Sequence, residues 1–244
     1  MIKAVDLHMA ETPTESGPHR PPLFGDTLVE SIRSIVKEQL EKQDSLEPSN
    51  YCVTFSGKSV SYCIGLVDMV GSTKLAASLG MQKMSRYYQH FLNLMSKIVV
   101  EFDGQVIKNV GDCLLYYFPE TSIWQNKSAI AKSLECSLAM IESHEFLCSQ
   151  MKAEGLPCVD YRISMDYGFV IPMKSTDSKS TDMIGPAVNM CAKINRCAEK
   201  NGIVIGGDLY HIAKHLEVFS FREIKGCPVG FRHAYPVYMF VRNP

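Results

Sequence analysis

From about residue 51 onward, the apolar positions alternate between short continuous runs and a helical period. Residues 60–68 form an almost unbroken apolar run of strand length, and Gly71-Ser72-Thr73 then opens a short helix ending near Leu79. Met84, Tyr88, Phe91, Leu92, Met95, Ile98, Val99 and Phe102 recur at three- and four-residue intervals, which predicts a long amphipathic helix stopped by Gly104. Residues 105–110 and 113–118 flank Gly111-Asp112 and read as a strand–turn–strand hairpin. The pattern next predicts a helix over 128–151, a strand over 161–173, a polar stretch over 174–181 and a helix over 186–199. A strand at 203–205, a helix near 209–215 and strands near 218–224 and 235–241 close the chain. Hairpins mixed with βα units predict an α+β fold. Its sheet is mixed and largely antiparallel with helices on one face, not doubly wound and parallel.

The first 50 residues differ in character. Residues 1–25 are rich in Pro, Thr, Glu and Gly and hold too few apolar groups to offset ordering entropy, so a flexible tail is expected. Over 26–50, Thr27-Leu28-Val29-Glu30 fits a capping box, and Leu28, Ile32, Ile35, Val36 and Leu40 make an amphipathic helix before a polar linker. That stripe is expected to pack on the main domain, or to pair subunits or receive an upstream regulator. The main domain is read as 51–244.

Charge narrows the function classes. The 244 residues carry 25 Lys+Arg against 26 Asp+Glu, a net charge of −1, so the broad electrostatic attraction of a nucleic-acid binder is missing and any phosphate site must be local. No apolar run approaches the roughly 18–20 residues that span a bilayer, and no basic start precedes an apolar core at the N-terminus. A soluble, cytoplasmic protein is expected. The nine cysteines include no C-x-x-C pair and sit mostly in apolar runs, which predicts reduced core thiols. His211 and His215 lie four apart without an acid or third ligand and read as a surface pair.

Two carboxylates stand out. Asp68 ends the apolar strand Cys63-Ile64-Gly65-Leu66-Val67-Asp68, where a buried charge is costly but a sheet can present a side chain to a ligand. Asp112 sits at the hairpin turn. If the two strands are neighbours, both acids reach one edge, and such a pair is stable mainly when cations bridge it, so two Mg²⁺ or Mn²⁺ ions follow. The small residues Gly71, Ser72 and Thr73 at the strand-to-helix turn suit an anion such as a polyphosphate.

Three segments in order, Leu66-Val67-Asp68-Met69-Val70-Gly71-Ser72-Thr73, Lys108-Asn109-Val110-Gly111-Asp112 and Asp182-Met183-Ile184-Gly185-Pro186-Ala187-Val188-Asn189, resemble the motifs of class III nucleotidyl cyclases over roughly residues 56–242. The resemblance implies a ferredoxin-like palm domain acting as a head-to-tail homodimer with active sites shared across the interface. It implies metal binding by Asp68 and Asp112 and base recognition by Lys108 and Asp182. Asn189 would orient ribose and triphosphate, and Lys225 would contact the β- and γ-phosphates. Where the family carries an arginine that stabilises the transition state, this chain has Lys193, with Arg196 nearby as a substitute. Lys is donor-only and ionised Asp acceptor-only, a pair complementary to adenine, so the expected substrate is ATP and the product 3′,5′-cyclic AMP. The alternatives are a weakly active or non-catalytic nucleotide-binding module, or a cyclase for GTP, CTP or UTP.

Overall fold

The computed structural model describes residues 52–175, 182–227 and 235–243, together with Ser34. The tail expected over 1–25 and, apart from Ser34, the helix and linker over 26–50 lie outside the described residues.

The elements follow in chain order β1 (Val53–Phe55), β2 (Val60–Met69), α1 (Ser72–Ser78), α2 (Met81–Glu101), β3 (Gln105–Val110) and β4 (Cys113–Phe118). After a 3₁₀ turn come α3 (Lys127–Glu142), α4 (His144–Ala153), β5 (Tyr161–Ser175), β6 (Asp182–Ile184) and α5 (Pro186–Ile194). A second 3₁₀ turn (Asn195–Cys197) leads to β7 (Gly202–Gly206), α6 (Gly207–Ala213), β8 (Phe219–Glu223) and β9 (Val237–Arg242). Among the described residues the strands form one mixed sheet in the order β3-β4-β2-β5-β7-β9-β8, with β1 and β6 pairing the far end of β5. The β5–β7 pair is parallel and the other pairs are antiparallel. This is the mixed, largely antiparallel α+β sheet expected from the pattern.

Cross-strand partners share a face, so the two faces can be read from the register. Cys63, Val67, Leu114, Tyr116, Ile163 and Met165 point to one side and pack on α2, α3, α4 and α6. On α2 the fully covered stripe is Tyr87, Phe91, Met95 and Val99, at four-residue intervals, and each such side chain contributes roughly 1.5–3 kcal/mol by leaving water. Ile64, Leu115 and Val170 point to the other side, where α5 covers them with Ala187 and Cys191. Among the described residues helices therefore lie on both faces, not on the one face expected: α1, through Leu75, joins α2, α3, α4 and α6 on one side, and α5 covers the other. The single helix expected over 128–151 is two, because the backbone at Ser143 (φ −76°, ψ −7°) leaves the regular helical range and α4 starts afresh at His144. The helix expected over 186–199 tightens into the 3₁₀ turn after Ile194.

The cysteines depart from expectation. Cys148 pairs with Cys158, and Cys197 with Cys227, while Cys63, Cys113, Cys136 and Cys191 keep free thiols. The chain reverses after α4 and again after β8, bringing together thiols whose sequence separations of 10 and 30 carry no motif.

A buried acid ties β5 to its neighbours. Asp166 accepts hydrogen bonds from the amides of Tyr167 (2.9 Å) and Leu209 (3.2 Å) and from the Tyr235 hydroxyl (2.8 Å). Burial outweighs these donors and pushes its carboxyl up to about 7. The folded chain thus holds this proton more tightly than the unfolded one, whose carboxyl titrates near 3.8. The associated stability is complete below that value and is lost as pH rises to about 7. The expected outcome is a fall of roughly 2 kcal/mol in denaturant-derived stability between about pH 5 and pH 7.5 that Asp166→Asn removes. The Asn variant should be less stable throughout, since its amide nitrogen must face a donor. An unchanged pH slope in Asp166→Asn would contradict the assignment.

Candidate active site

Asp68 and Asp112 meet because β2 and β4 are paired. Asp68 lies opposite Cys113, and the Met69 amide donates to the Asp112 carbonyl (3.4 Å). The hairpin between β3 and β4 turns on Gly111 at φ 60°, the position that a two-residue hairpin loop reserves for a residue of positive φ. The two acids repel: burial first, and then the Asp112 charge, push Asp68 up to about 6, against an opposing pull from Arg162. Two oxygen-donor carboxylates held close at a half-buried edge fit hard divalent cations such as Mg²⁺ or Mn²⁺, whose charge would relieve the repulsion.

The turn after Asp68 is coupled to Asp112. The Ser72 hydroxyl, itself buried, donates to Asp112 Oδ2, fixing the orientation of that carboxylate. Ser72 thus lies where the sequence places it but works on the acid as well as on the turn. Gly71 (φ 74°) caps α1 ahead of Ser72 and Thr73, and the Val70 amide is anchored on the Asp160 carbonyl (2.8 Å).

Sequence reasoning missed Arg162. It faces Asp68 directly across the β2–β5 register, and its Nε is buried without a hydrogen-bond partner. A lone arginine inside a strand carries no motif. The available signal was its place at the start of a strand run, 161–173, in which Asp166 is the one other charged residue.

Lys108 and Asp182 form an ion pair across 74 residues of sequence, Nζ to Oδ2, while Asp182 Oδ1 accepts from the Met183 amide (2.7 Å). Two local features make this possible. The β3–β4 register shifts between Val106 and Lys108, a bulge that sets Lys108 opposite Leu115. Leu115 belongs to the face covered by α5, so Lys108 is turned to that face too. Asp182 opens β6, opposite Met173 of β5. Gly185 then admits the chain to α5: a Cβ there would lie 2.5 Å from the Phe169 carbonyl oxygen.

Asn189 and Lys193 are both exposed and, four apart on α5, share one helix face. Arg196 is exposed in the following 3₁₀ turn, and Lys225 is exposed in the turn after β8. The Cys197–Cys227 link joins the segments carrying these last two cations. The site residues thus fall into an acidic set with Arg162 around the β2 end, a Lys108–Asp182 pair, and a basic and amide surface along and beyond α5.

Residues 56–241 match the family model of the adenylate and guanylate cyclase catalytic domain. A cytidylate cyclase of Staphylococcus aureus is 25% identical over 207 residues, covering 81% of this chain and 48% of that protein, so the chain spans about half the length of this curated relative. The adenylyl cyclase CyaB from P. aeruginosa shares the fold at a TM-score of 0.68 and 23% identity, over 77% of this chain and 96% of that one. The guanylyl cyclase Cya2 does so at 0.66 and 17%, over 75% and 93%.

One consequence can be tested directly. In Ser72→Ala the Asp112 carboxylate loses its orienting donor, and the expected outcome is roughly 10- to 100-fold weaker Mn²⁺ binding with the fold intact. Titration of Mn²⁺ followed by electron paramagnetic resonance reads this; unchanged affinity would show that Asp112 needs no such support.

Proposed function

Since the chain belongs to the adenylate and guanylate cyclase catalytic-domain family, we propose that it closes a nucleoside triphosphate into its 3′,5′-cyclic monophosphate and pyrophosphate, with ATP as the substrate. The observation that carries the substrate reading is the Lys108–Asp182 pair. An ammonium can only donate and a carboxylate can only accept. Together they match the ring-nitrogen acceptor and amino donor on the Watson–Crick edge of adenine. Guanine and uracil present the opposite order, an oxygen acceptor beside a ring N–H.

Cytosine carries the same acceptor–amino pattern as adenine, and the curated relative matched above is a cytidylate cyclase. CTP is therefore the second reading. Hydrogen bonding at Lys108 and Asp182 separates amino-bearing bases from the others, and the size of the base must separate adenine from cytosine.

In the proposed reaction the ribose 3′-hydroxyl attacks the α-phosphorus in line with the departing pyrophosphate. Asp68 and Asp112 would hold two divalent cations, which when bound lower the pKa of the hydroxyl and screen the triphosphate. Ser72 keeps Asp112 in place, and Arg162 adds positive charge beside Asp68. The turn of Gly71, Ser72 and Thr73 receives phosphate oxygens. Asn189 orients the ribose, while Lys193 or Arg196 offsets charge that builds during displacement. Lys193 offers a point charge where a guanidinium would give a planar fork, which favours a modest turnover. Lys225 reaches the terminal phosphates. The working unit is a head-to-tail homodimer, in which Lys108 and Asp112 of one chain serve different sites.

Incubating the purified chain with equimolar ATP, CTP, GTP and UTP and Mn²⁺ should yield cyclic AMP, with GTP and UTP disfavoured at least ~100-fold. Cyclic CMP as the main product would establish the second reading, and cyclic GMP or cyclic UMP would overturn both. Separately, Asp112→Ala and Lys108→Ala chains should each be inactive yet regain activity on mixing, because one site of the mixed dimer is then complete. A well-folded mixed dimer without activity would refute the shared-site arrangement.

A further inference from the structure

A second cluster of ligand-bearing side chains lies at the other side of the β2–α1 turn. His144 opens α4 and Cys148 follows one helical turn later on the same face. The chain then reverses and brings in Cys158 and Asp160 just before β5. His144 Nε2 lies 3.6 Å from Cys148 Sγ, 3.8 Å from Cys158 Sγ and 4.0 Å from Asp160 Oδ1. One ligand atom from each of His144, Cys148 and Cys158 falls within 4.8 Å of the others.

The nitrogen-to-sulfur separations suit one ion. The two sulfurs, bonded to each other here, would part on reduction. Asp160, whose oxygens accept from Asn201 Nδ2 (2.9 Å) and Lys200 Nζ (3.1 Å), would turn one of them to the ion. With Zn–S near 2.3 Å and Zn–N near 2.0–2.1 Å, tetrahedral geometry sets nitrogen and sulfur ligands about 3.6 Å apart. Two thiolates and an imidazole select a zinc-like cation over Mg²⁺ or Mn²⁺, which prefer oxygen. Asp160 is already ionised at neutral pH: the Asn201 side chain, and further the Lys200 ammonium, hold its carboxyl below the usual range. We propose that in the reduced protein His144, Cys148, Cys158 and Asp160 bind a Zn²⁺ ion. The disulfide between the two cysteines and the metal-bound form exclude each other, since the ion needs both sulfurs as thiolates. His144 Nε2 also lies 2.9 Å from the Val159 carbonyl oxygen, a contact that ligation replaces.

With four protein ligands such a site is structural. Its place gives it a purpose. The Asp160 carbonyl holds the Val70 amide at 2.8 Å, two residues beyond Asp68, so an ion gripping Asp160 braces the turn after the first acid of the active site. Cys148 is buried while Cys158 is exposed, leaving one side open for the ion to enter.

Cobalt(II) is the suitable probe, because a thiolate-to-cobalt charge-transfer band reports sulfur ligation, and the Cys158→Ser comparison separates this cluster from Cys113, which lies opposite Asp68. The full chain, reduced with a phosphine, should show this band on titration with Co²⁺ and lose it when Zn²⁺ is added. Cys158→Ser changes an exposed residue, so the fold should persist, and the band should vanish. His144→Ala and Asp160→Asn should each weaken Co²⁺ binding at least ~10-fold. No band in the reduced wild-type chain, or an undiminished band in Cys158→Ser, would overturn the site; unaltered affinity in Asp160→Asn would overturn the four-ligand set. None of these readouts depends on cyclase activity, so the proposal fails or stands apart from the nucleotide reading.

Discussion

The candidate site is built on the enforced proximity of Asp68 and Asp112. Two carboxylates at a half-buried sheet edge repel one another, and the fold spends ordinary backbone pairing to hold them there. The β2–β4 ladder fixes the spacing, the Met69 amide grips the Asp112 carbonyl, and Ser72 orients the Asp112 side chain. Burial first, and the Asp112 charge after it, raise the Asp68 carboxyl. Such an arrangement lowers stability in isolation and becomes favourable when multivalent positive charge arrives, which is the general logic of a site kept for binding.

Much of this was legible in the sequence, for identifiable reasons. The strand ending at Asp68 is a continuous apolar run, and the hairpin at Gly111-Asp112 is flanked by two more, so local pattern and tertiary pairing agree. Features set by long-range geometry were not legible. The break at Ser143 falls inside a stretch whose apolar period continues on both sides. The strands β1 and β6 are three residues each, too short for a period to declare itself. Arg162 gains meaning from the residue opposite it in another strand. The grouping of His144, Cys148, Cys158 and Asp160 depends on a chain reversal that no spacing rule encodes.

On the proposed reading, the Lys108–Asp182 pair would store selectivity before a ligand arrives. In the free chain the two groups satisfy each other, so neither charge is left unpaired at the surface. A base that enters must replace that mutual contact with two of its own. One with the complementary order does so with little loss; one with the opposite order leaves an ammonium or a carboxylate without its partner, which is costly in a partly desolvated cleft. Discrimination then rests as much on the contact broken as on those made.

The extra residue in β3 has a consequence for how this hairpin can change over time. Before the bulge the strand runs in one register with β4 and after it in another, so Lys108 lies opposite Leu115 where an unshifted ladder would place it opposite Leu114. Leu114 belongs to the helix-covered interior on the opposite side. Removing Ile107, the one residue between Val106 and Lys108, would merge the two registers and still leave the lysine opposite Leu115, at the cost of the apolar side chain that Ile107 packs on the α5 face. The strand can therefore lose that residue without moving the ammonium to the other face, and what the extra residue supplies at this point is an apolar contact rather than the direction of the lysine.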